Sequence, residues 1–262
     1  MRMHRWTSRF VFISCIVSAG CAGSPKPAPT NHEVTSATQQ DARGREDAWK
    51  KSTLTQFGTL EQLIRGAYDG PAFVGDLAPN GDFGLGTFNA LDGEMVVLDG
   101  VVYKVRSDGI PRVAERNEHT PFAAVTFFHA DQRVPVNAPV ANLAALQTLI
   151  TNASPDASRM LALKVHGTFA TLKLRAPQRQ SLPYPPLSEA TKTQVEFTHA
   201  NVTGTMVGFR LPQFLGTTNA TGYHFHFVSD DHQKGGHVLD ASTSVATIDV
   251  QTLDRLRFSV GN

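Results

Sequence analysis

The segment Gly222–Asp240 (GYHFHFVSDDHQKGGHVLD) constrains the fold more than any other part of the chain. Histidine and aromatic residues alternate at its start, and successive side chains of a β-strand point to opposite faces. His224 and His226 are therefore predicted on one face of a strand, with Tyr223, Phe225 and Phe227 on the other. The chain must accordingly contain a sheet that buries one apolar face and presents two imidazoles on the opposite one.

A second strand is predicted directly after the first. Ser229–Gly236 is polar and ends in two glycines, which favours a reversal of the chain, and His237 then opens a returning strand. If the two strands pair, His237 lies beside His224 and His226. Three imidazoles with a fourth coordination position open are typical of catalytic zinc. The alternative is that the histidines lie on a solvated face of the sheet and bind no metal. The other polar residues of the reversal are predicted as turn residues: Asp230, Asp231 and His232.

The predicted metal site leaves the reaction open. Three neutral imidazoles leave a divalent ion with its full charge, and such an ion polarises a carbonyl or hydroxyl oxygen or lowers the pKa of bound water. Hydrolysis, hydration, isomerisation and decarboxylation all remain compatible with these residues alone.

The remaining pattern predicts a mixed α/β fold of the α+β kind, with mostly antiparallel and mixed β-sheets, a few helices and two closely fused sheet subdomains. With 262 residues, 41% of them hydrophobic, the chain can close one large core or two fused ones. Leu60–Ala67 and Ala141–Thr151 are predicted helices, and Ser158–Val165 is helix or strand. Asp99-Gly100 predicts a hairpin turn. Strands are predicted at Gly84–Asn89, Glu94–Leu98, Val101–Val105, Ala123–His129, Val195–Phe197, Gly204–Phe209, Tyr223–Val228, Val238–Leu239 and Leu256–Val260.

The N-terminal residues predict export. Met1–Arg9 is basic and Phe10–Gly20 is a short apolar run, which together are typical of a signal peptide over residues 1–20. Cys21 follows small residues, as in a lipoprotein, so the mature protein is expected in the periplasm, either anchored to the membrane through Cys21 or cleaved near Ala22. Residues 21–51 are rich in Pro, Ser, Thr and charge and predict a disordered tether before a domain at 52–262.

Charge and cysteine content exclude several classes of function. A formal charge of +1 gives no basic face for nucleic acid. Removing residues 1–20 removes three arginines, so the charge becomes −2. Cys21 is then the one cysteine left, which excludes an intrachain disulfide, thiolate metal ligands and a cysteine nucleophile.

Several motifs, in the same order along the chain, resemble those of the bacterial alpha-acetolactate decarboxylase family over about Gln56 to Phe258. They are Gly81–Phe88 (GDFGLGTF), Leu91–Glu94 (LDGE), Leu98–Gly100, Pro183–Leu187, Thr191–Gln194, Gly204–Phe209, Ser229–Asp231 and Gly235–Asp240. The resemblance implies a carboxy-lyase of acetoin biosynthesis that converts 2-acetolactate to acetoin and carbon dioxide through an enediolate. It also implies bound Zn²⁺ and a homodimer.

The resemblance also implies the site residues. The zinc ligands fall on His224, His226 and His237. The active-site residues fall on Glu94, Thr87 and Arg175, with Arg179 as the rival of Arg175. From the residues alone, Glu94 indicates a solvated carboxylate at a hairpin edge, Thr87 an ordinary strand residue and Arg175 a surface charge.

One departure keeps two other functions open. The family usually carries an acidic tail whose glutamate reaches the zinc, but no acidic residue follows Asp254 here, so this glutamate has no counterpart. The alternatives are an exported zinc-binding relative without decarboxylase activity and a zinc hydrolase that uses the same three histidines.

Overall fold

The computed structural model describes residues Trp49–Ser259. The predicted signal peptide, Cys21 and the tether as far as residue 48 lie outside the described residues. Residues 49–51, the end of the predicted tether, are helical.

Fourteen strands follow one another in the described residues. They are β1 (Thr53–Phe57), β2 (Ala72–Phe73), β3 (Phe83–Thr87), β4 (Glu94–Leu98), β5 (Val101–Val105), β6 (Pro111–Val113), β7 (His119–Thr120), β8 (Phe122–Thr126), β9 (Gln132–Val136), β10 (Met160–Ala176), β11 (Val195–Leu211), β12 (Gly222–Ser229), β13 (Gly235–Leu253) and β14 (Arg255–Ser259).

The first sheet has seven strands in the order β14-β1-β8-β3-β4-β5-β6. Only the β1–β14 pair of this sheet is parallel. The predicted hairpin turn joins β4 to β5: Asp99 and Gly100 both have positive φ, 50° and 81°, and Leu98 pairs with Val101. Two residues with positive φ suit the twist of antiparallel strands, and glycine adopts this conformation without strain.

The second sheet has five strands in the order β10-β11-β12-β13-β9, and β10 also pairs with β13. The four strands β10 to β13 therefore close on themselves. Val195–Phe197 and Gly204–Phe209, predicted as separate strands, belong to the single 17-residue strand β11. Ser158–Val165, predicted as helix or strand, enters the strand β10 at Met160. The returning strand β13 begins at Gly235 rather than at the predicted His237.

The helices are short and lie at the periphery of the sheets. They are α1 (Leu60–Ile64), α2 (Leu143–Ala153) and α3 (Leu187–Ala190). Thr59 caps α1, because its hydroxyl accepts a hydrogen bond from the Gln62 backbone N–H and the Gln62 side-chain oxygen accepts one from the Thr59 N–H. Ala67, predicted within this helix, lies beyond its end. No helix in residues 49–259 combines the length and apolarity needed to cross a membrane.

One core joins the two sheets. Leu54, Leu85 and Val96 of the first sheet pack in the same buried cluster as Val207 and Phe209 of the second. The described residues form one compact unit rather than separate domains. The predicted mixed fold with two fused sheets is confirmed.

Candidate active site

The register of the second sheet brings three predicted site residues into one row. His226 of β12 lies opposite His237 of β13, and His237 lies opposite Arg175 of β10. Side chains of directly opposed residues share a face of the sheet. His224 lies two residues before His226 on the same strand and so projects to that face as well.

The three histidines converge on one point. The Nε2 atom of His224 lies 3.2 Å from His226 Nε2 and 3.2 Å from His237 Nδ1, and all three ligand atoms lie within 4.8 Å of one another. A tetrahedral zinc ion with Zn–N bonds of roughly 2.0–2.1 Å needs nitrogens about 3.3 Å apart. The donor set and the two 3.2 Å distances from His224 therefore fit a zinc ion.

The protonation of the imidazoles also fits a metal. His226 Nδ1 donates a hydrogen bond to the backbone carbonyl oxygen of Met95 at 2.8 Å, which leaves the lone pair on Nε2. Burial lowers the pKa of His224 to about 4, with the Arg175 guanidinium acting in the same direction. Burial and the neighbouring imidazole also hold the pKa of His226 well below its usual range, and the same causes apply to His237. Neutral imidazoles are the form that binds metal.

Glu94 reaches this point from the other sheet. It begins β4, is 7% exposed, and its Oε2 atom lies 3.3 Å from His226 Nε2. Burial raises the pKa of the Glu94 carboxyl to about 7, against the lowering effect of Arg175. The solvated hairpin-edge carboxylate that the residues alone indicate is therefore wrong, because the second sheet covers this strand end.

Thr87 pairs with Glu94 across β3 and β4. Its buried hydroxyl donates a hydrogen bond to the Gly93 carbonyl oxygen at 2.8 Å. Thr87 therefore holds the turn that leads into Glu94, which the interpretation as an ordinary strand residue does not include.

Arg175 is half-buried beside the histidines, and its Nη1 donates a hydrogen bond to Gln194 Oε1 at 2.6 Å. The interpretation of Arg175 as a surface charge is therefore wrong. Its rival Arg179 is exposed and approaches Asp92 Oδ2 at 3.6 Å. Arg175, and not Arg179, lines the cavity that holds the histidines.

The cavity has a volume of about 240 Å³. Its polar side is formed by the three histidines, Glu94, Thr87 and Arg175. Its remaining lining is mostly apolar and comes from Leu60, Leu63, Gly86, Leu91, Phe122, Pro177, Leu187, Thr191, Ala220 and Tyr223. A site of this size and polarity suits a small, oxygen-rich organic molecule.

Sequence reasoning missed parts of this arrangement. The Met95 carbonyl carries no side-chain signal. Nothing in the sequence indicated that three leucines line the cavity, namely Leu60, Leu63 and Leu187. Gln194 belongs to the motif Thr191–Gln194 (TKTQ), which resembles the family. Its place in this motif was the one sequence feature that could have indicated its contact with Arg175.

Comparison with known sequences supports the family resemblance of the sequence motifs. The family model described as alpha-acetolactate decarboxylase matches residues 54–262. The alpha-acetolactate decarboxylase of Methanosarcina mazei is 42% identical over 71% of this chain and 65% of its own length. That of Methylococcus capsulatus is 40% identical over 78% of each chain.

The fold agrees as well. The crystal structure of alpha-acetolactate decarboxylase from Bacillus subtilis strain 168 matches with a TM-score of 0.77 and 33% identity, over 80% of this chain and 90% of that one. These matches place the chain in the carboxy-lyase class. Within that class, the chain belongs to the alpha-acetolactate decarboxylase family.

Proposed function

We propose that the chain is a zinc-dependent decarboxylase that converts 2-acetolactate to acetoin and carbon dioxide. The observation that carries the proposal is the convergence of three neutral imidazoles on the wall of a small cavity, with the ring nitrogen of His224 3.2 Å from a nitrogen of each of the other two. Family membership supports the reaction, and the nitrogen spacing supports zinc.

The reaction consumes one proton for each molecule of substrate. The bond between the carboxylate carbon and the carbinol carbon breaks, and its electron pair moves towards the adjacent ketone and gives an enediolate. A proton then adds to the carbinol carbon and yields acetoin. Zinc held by His224, His226 and His237 would supply positive charge for the developing negative oxygens.

Arg175 and Glu94 have separate tasks in this proposal. The Arg175 guanidinium offers fixed N–H donors at the cavity wall, so it binds the substrate carboxylate and orients it. The Glu94 carboxyl faces the same space from the opposite sheet and holds the proton that is added to the carbinol carbon. The apolar residues of the lining exclude water from the substrate, which strengthens both interactions.

The test is direct. Metal-loaded protein is incubated with racemic 2-acetolactate, and acetoin and carbon dioxide are measured against a chelator-treated sample. Equal amounts of both products in the loaded sample alone support the proposal. Bound zinc without either product would indicate a non-catalytic zinc-binding protein, and ester or phosphate hydrolysis without acetoin would indicate a zinc hydrolase.

Export, attachment through Cys21 and a homodimer stay predictions. Export depends on the basic and apolar segments of residues 1–20, and attachment depends on Cys21 after small residues. Sedimentation of the purified protein measures the oligomeric state.

A further inference from the structure

Arg175 has a neutral partner. Its Nη1 donates to the side-chain oxygen of Gln194 at 2.6 Å. Among residues 49–259, no carboxylate oxygen lies within 4.0 Å of the Arg175 guanidinium. A half-buried arginine is usually paired with an acid, because desolvating an unpaired charge is costly.

A carboxylate is available nearby but is held elsewhere. Glu196 lies directly opposite Arg175 across β10 and β11. Its carboxylate accepts a 2.7 Å contact from Lys173 Nζ, two residues before Arg175 on the same strand. Lys173 therefore forms the ion pair with the carboxylate that the strand register places opposite Arg175.

Gln194 lies between the carboxylate and the guanidinium. Its Nε2 faces Glu196 Oε1 at 3.4 Å, while its Oε1 accepts the hydrogen bond from Arg175. An amide has one donor end and one acceptor end, so the acid on one side fixes the amide with its oxygen towards Arg175. A glutamate at the same position would pair with Arg175 and neutralise it.

The guanidinium also stands where a substrate would enter. Arg175 lines the 240 Å³ cavity and also a more open cavity of about 550 Å³ beside it, which Gln194 and Lys192 line as well. A positive charge that no carboxylate contacts directly, at this junction, attracts an anion from the open side to the closed one.

We propose that Gln194 is a positioning residue that orients Arg175 through a neutral hydrogen bond and so leaves its charge free for the carboxylate of the substrate. The inference rests on the proposed function, which supplies the anionic substrate. It assigns to Gln194 an effect on anion binding and not on bond breaking.

The experiment compares Gln194→Glu with Gln178→Glu in the metal-loaded protein. Gln178 is exposed and three residues beyond Arg175, so its variant makes the same charge change without the contact. Gln194→Glu should raise KM for 2-acetolactate about tenfold or more, the worth of a charged hydrogen bond, with kcat within about twofold. Gln178→Glu should leave both constants unchanged.

Binding measurements separate this inference from the proposed function. Calorimetry uses two ligands: 2,3-dihydroxy-2-methylbutanoate, an anionic diol that has no ketone, and acetoin, which is neutral. Gln194→Glu should weaken binding of the diol acid by the same factor as KM and leave acetoin binding unchanged. This comparison works even if the wild type produces no acetoin, in which case only the proposed function fails.

Three results would overturn the inference. They are a fall in kcat with KM unchanged, equal weakening of the diol acid and acetoin, and the same effect in Gln178→Glu. Gln194→Asn, which stays neutral but is one methylene shorter, should raise KM less than Gln194→Glu, and an equal rise would contradict the part played by charge. Thermal melting of each variant shows that the fold is retained.

Discussion

The ring of His226 joins the two sheets through Met95: its Nδ1 atom donates a hydrogen bond to the Met95 carbonyl oxygen at 2.8 Å. Met95 directly follows Glu94 on β4. One bond therefore fixes the tautomer of a proposed metal ligand and, at the same time, the position of the strand that carries the carboxylate.

Replacing His226 should remove both metal and activity. His226→Ala deletes one of three ligands, and because loss of an outer-shell partner of a ligand already costs roughly 10–100-fold, we expect acetoin release to fall at least ~100-fold. Elemental analysis measures the bound zinc. His232→Ala, in the exposed turn of the same hairpin, is the control and should retain both. Zinc-free His226→Ala with full activity would disprove the metal requirement.

Replacing Glu94 should separate chemistry from metal binding. Glu94→Gln keeps the shape of the side chain but cannot supply the proton, so we expect kcat to fall by roughly 10²–10⁴ with zinc content unchanged. Acetoin formation is measured under saturating substrate. Glu115→Gln, on the exposed surface, is the matched control. An unchanged kcat in Glu94→Gln would assign proton transfer to another group.

Gly208 should tolerate no side chain. It lies opposite Phe225 in β12, and an added Cβ would stand 2.2 Å from Phe225 Cδ1 and 2.4 Å from the His224 carbonyl oxygen. Gly208→Ala should displace the histidine strand, lower the free energy of unfolding by roughly 1–3 kcal/mol and weaken zinc binding. Denaturant melts and zinc titrations measure the two effects. Gly75→Ala, whose nearest neighbour is at 3.2 Å, should cost less.

Lys104 should matter to stability more than other paired lysines. It is buried, contacts Asp92 Oδ2 at 2.8 Å and Glu118 Oε2 at 2.5 Å, and its loss leaves Asp92 with less compensation. Breaking a buried ion pair lowers the free energy of unfolding by roughly 3–5 kcal/mol. For Lys104→Met we expect a value at the lower end of this range, because Arg106 still pairs with Asp92.

The control for Lys104 is an exposed pair. Lys164 contacts Asp99 at 2.9 Å, and Asp99 is largely exposed, so Lys164→Met should cost about 0–1 kcal/mol. Equal melting midpoints for the two variants would contradict the assignment of the buried pair.

The predicted lipid attachment has its own test. If Cys21 carries the lipid, cells that express the wild type should incorporate labelled palmitate into the protein and retain it in the membrane fraction. Cys21→Ser should abolish the label and release the protein. Labelled Cys21→Ser protein would show that the lipid is not attached through Cys21.

The sequence predicted those parts of the fold that depend on local chemistry. Alternation placed His224 and His226 on one strand face, and Asp99-Gly100 specified a tight turn. The residues of Ser158–Val165 satisfy helix and strand patterns equally, and only pairing with β11 and β13 decides for a strand. Secondary structure of this kind is set by tertiary partners rather than by propensity.

The parts of the candidate site that the residues alone did not predict depend on contacts between sheets. Glu94 has an acidic side chain next to a hairpin, and nothing local indicates that a second sheet buries it. The hydrogen-bond partner of Arg175, Gln194, is likewise 19 residues away in sequence and meets it only because β10 and β11 pair. Motif resemblance identified Glu94 and Arg175, since it carries information on the whole fold.

The row Arg175–His237–His226 has a consequence for how this protein can change. Inserting or deleting one residue within β12 or β13, without a compensating β-bulge of the kind that β10 and β13 already contain, would invert every side chain beyond that point and scatter the row over both faces of the sheet. The reversal at Asp230–Lys234 has no such restriction. Length variation compatible with catalysis is therefore confined to the loops. A shift in strand register that inactivated the enzyme would also expose its apolar core.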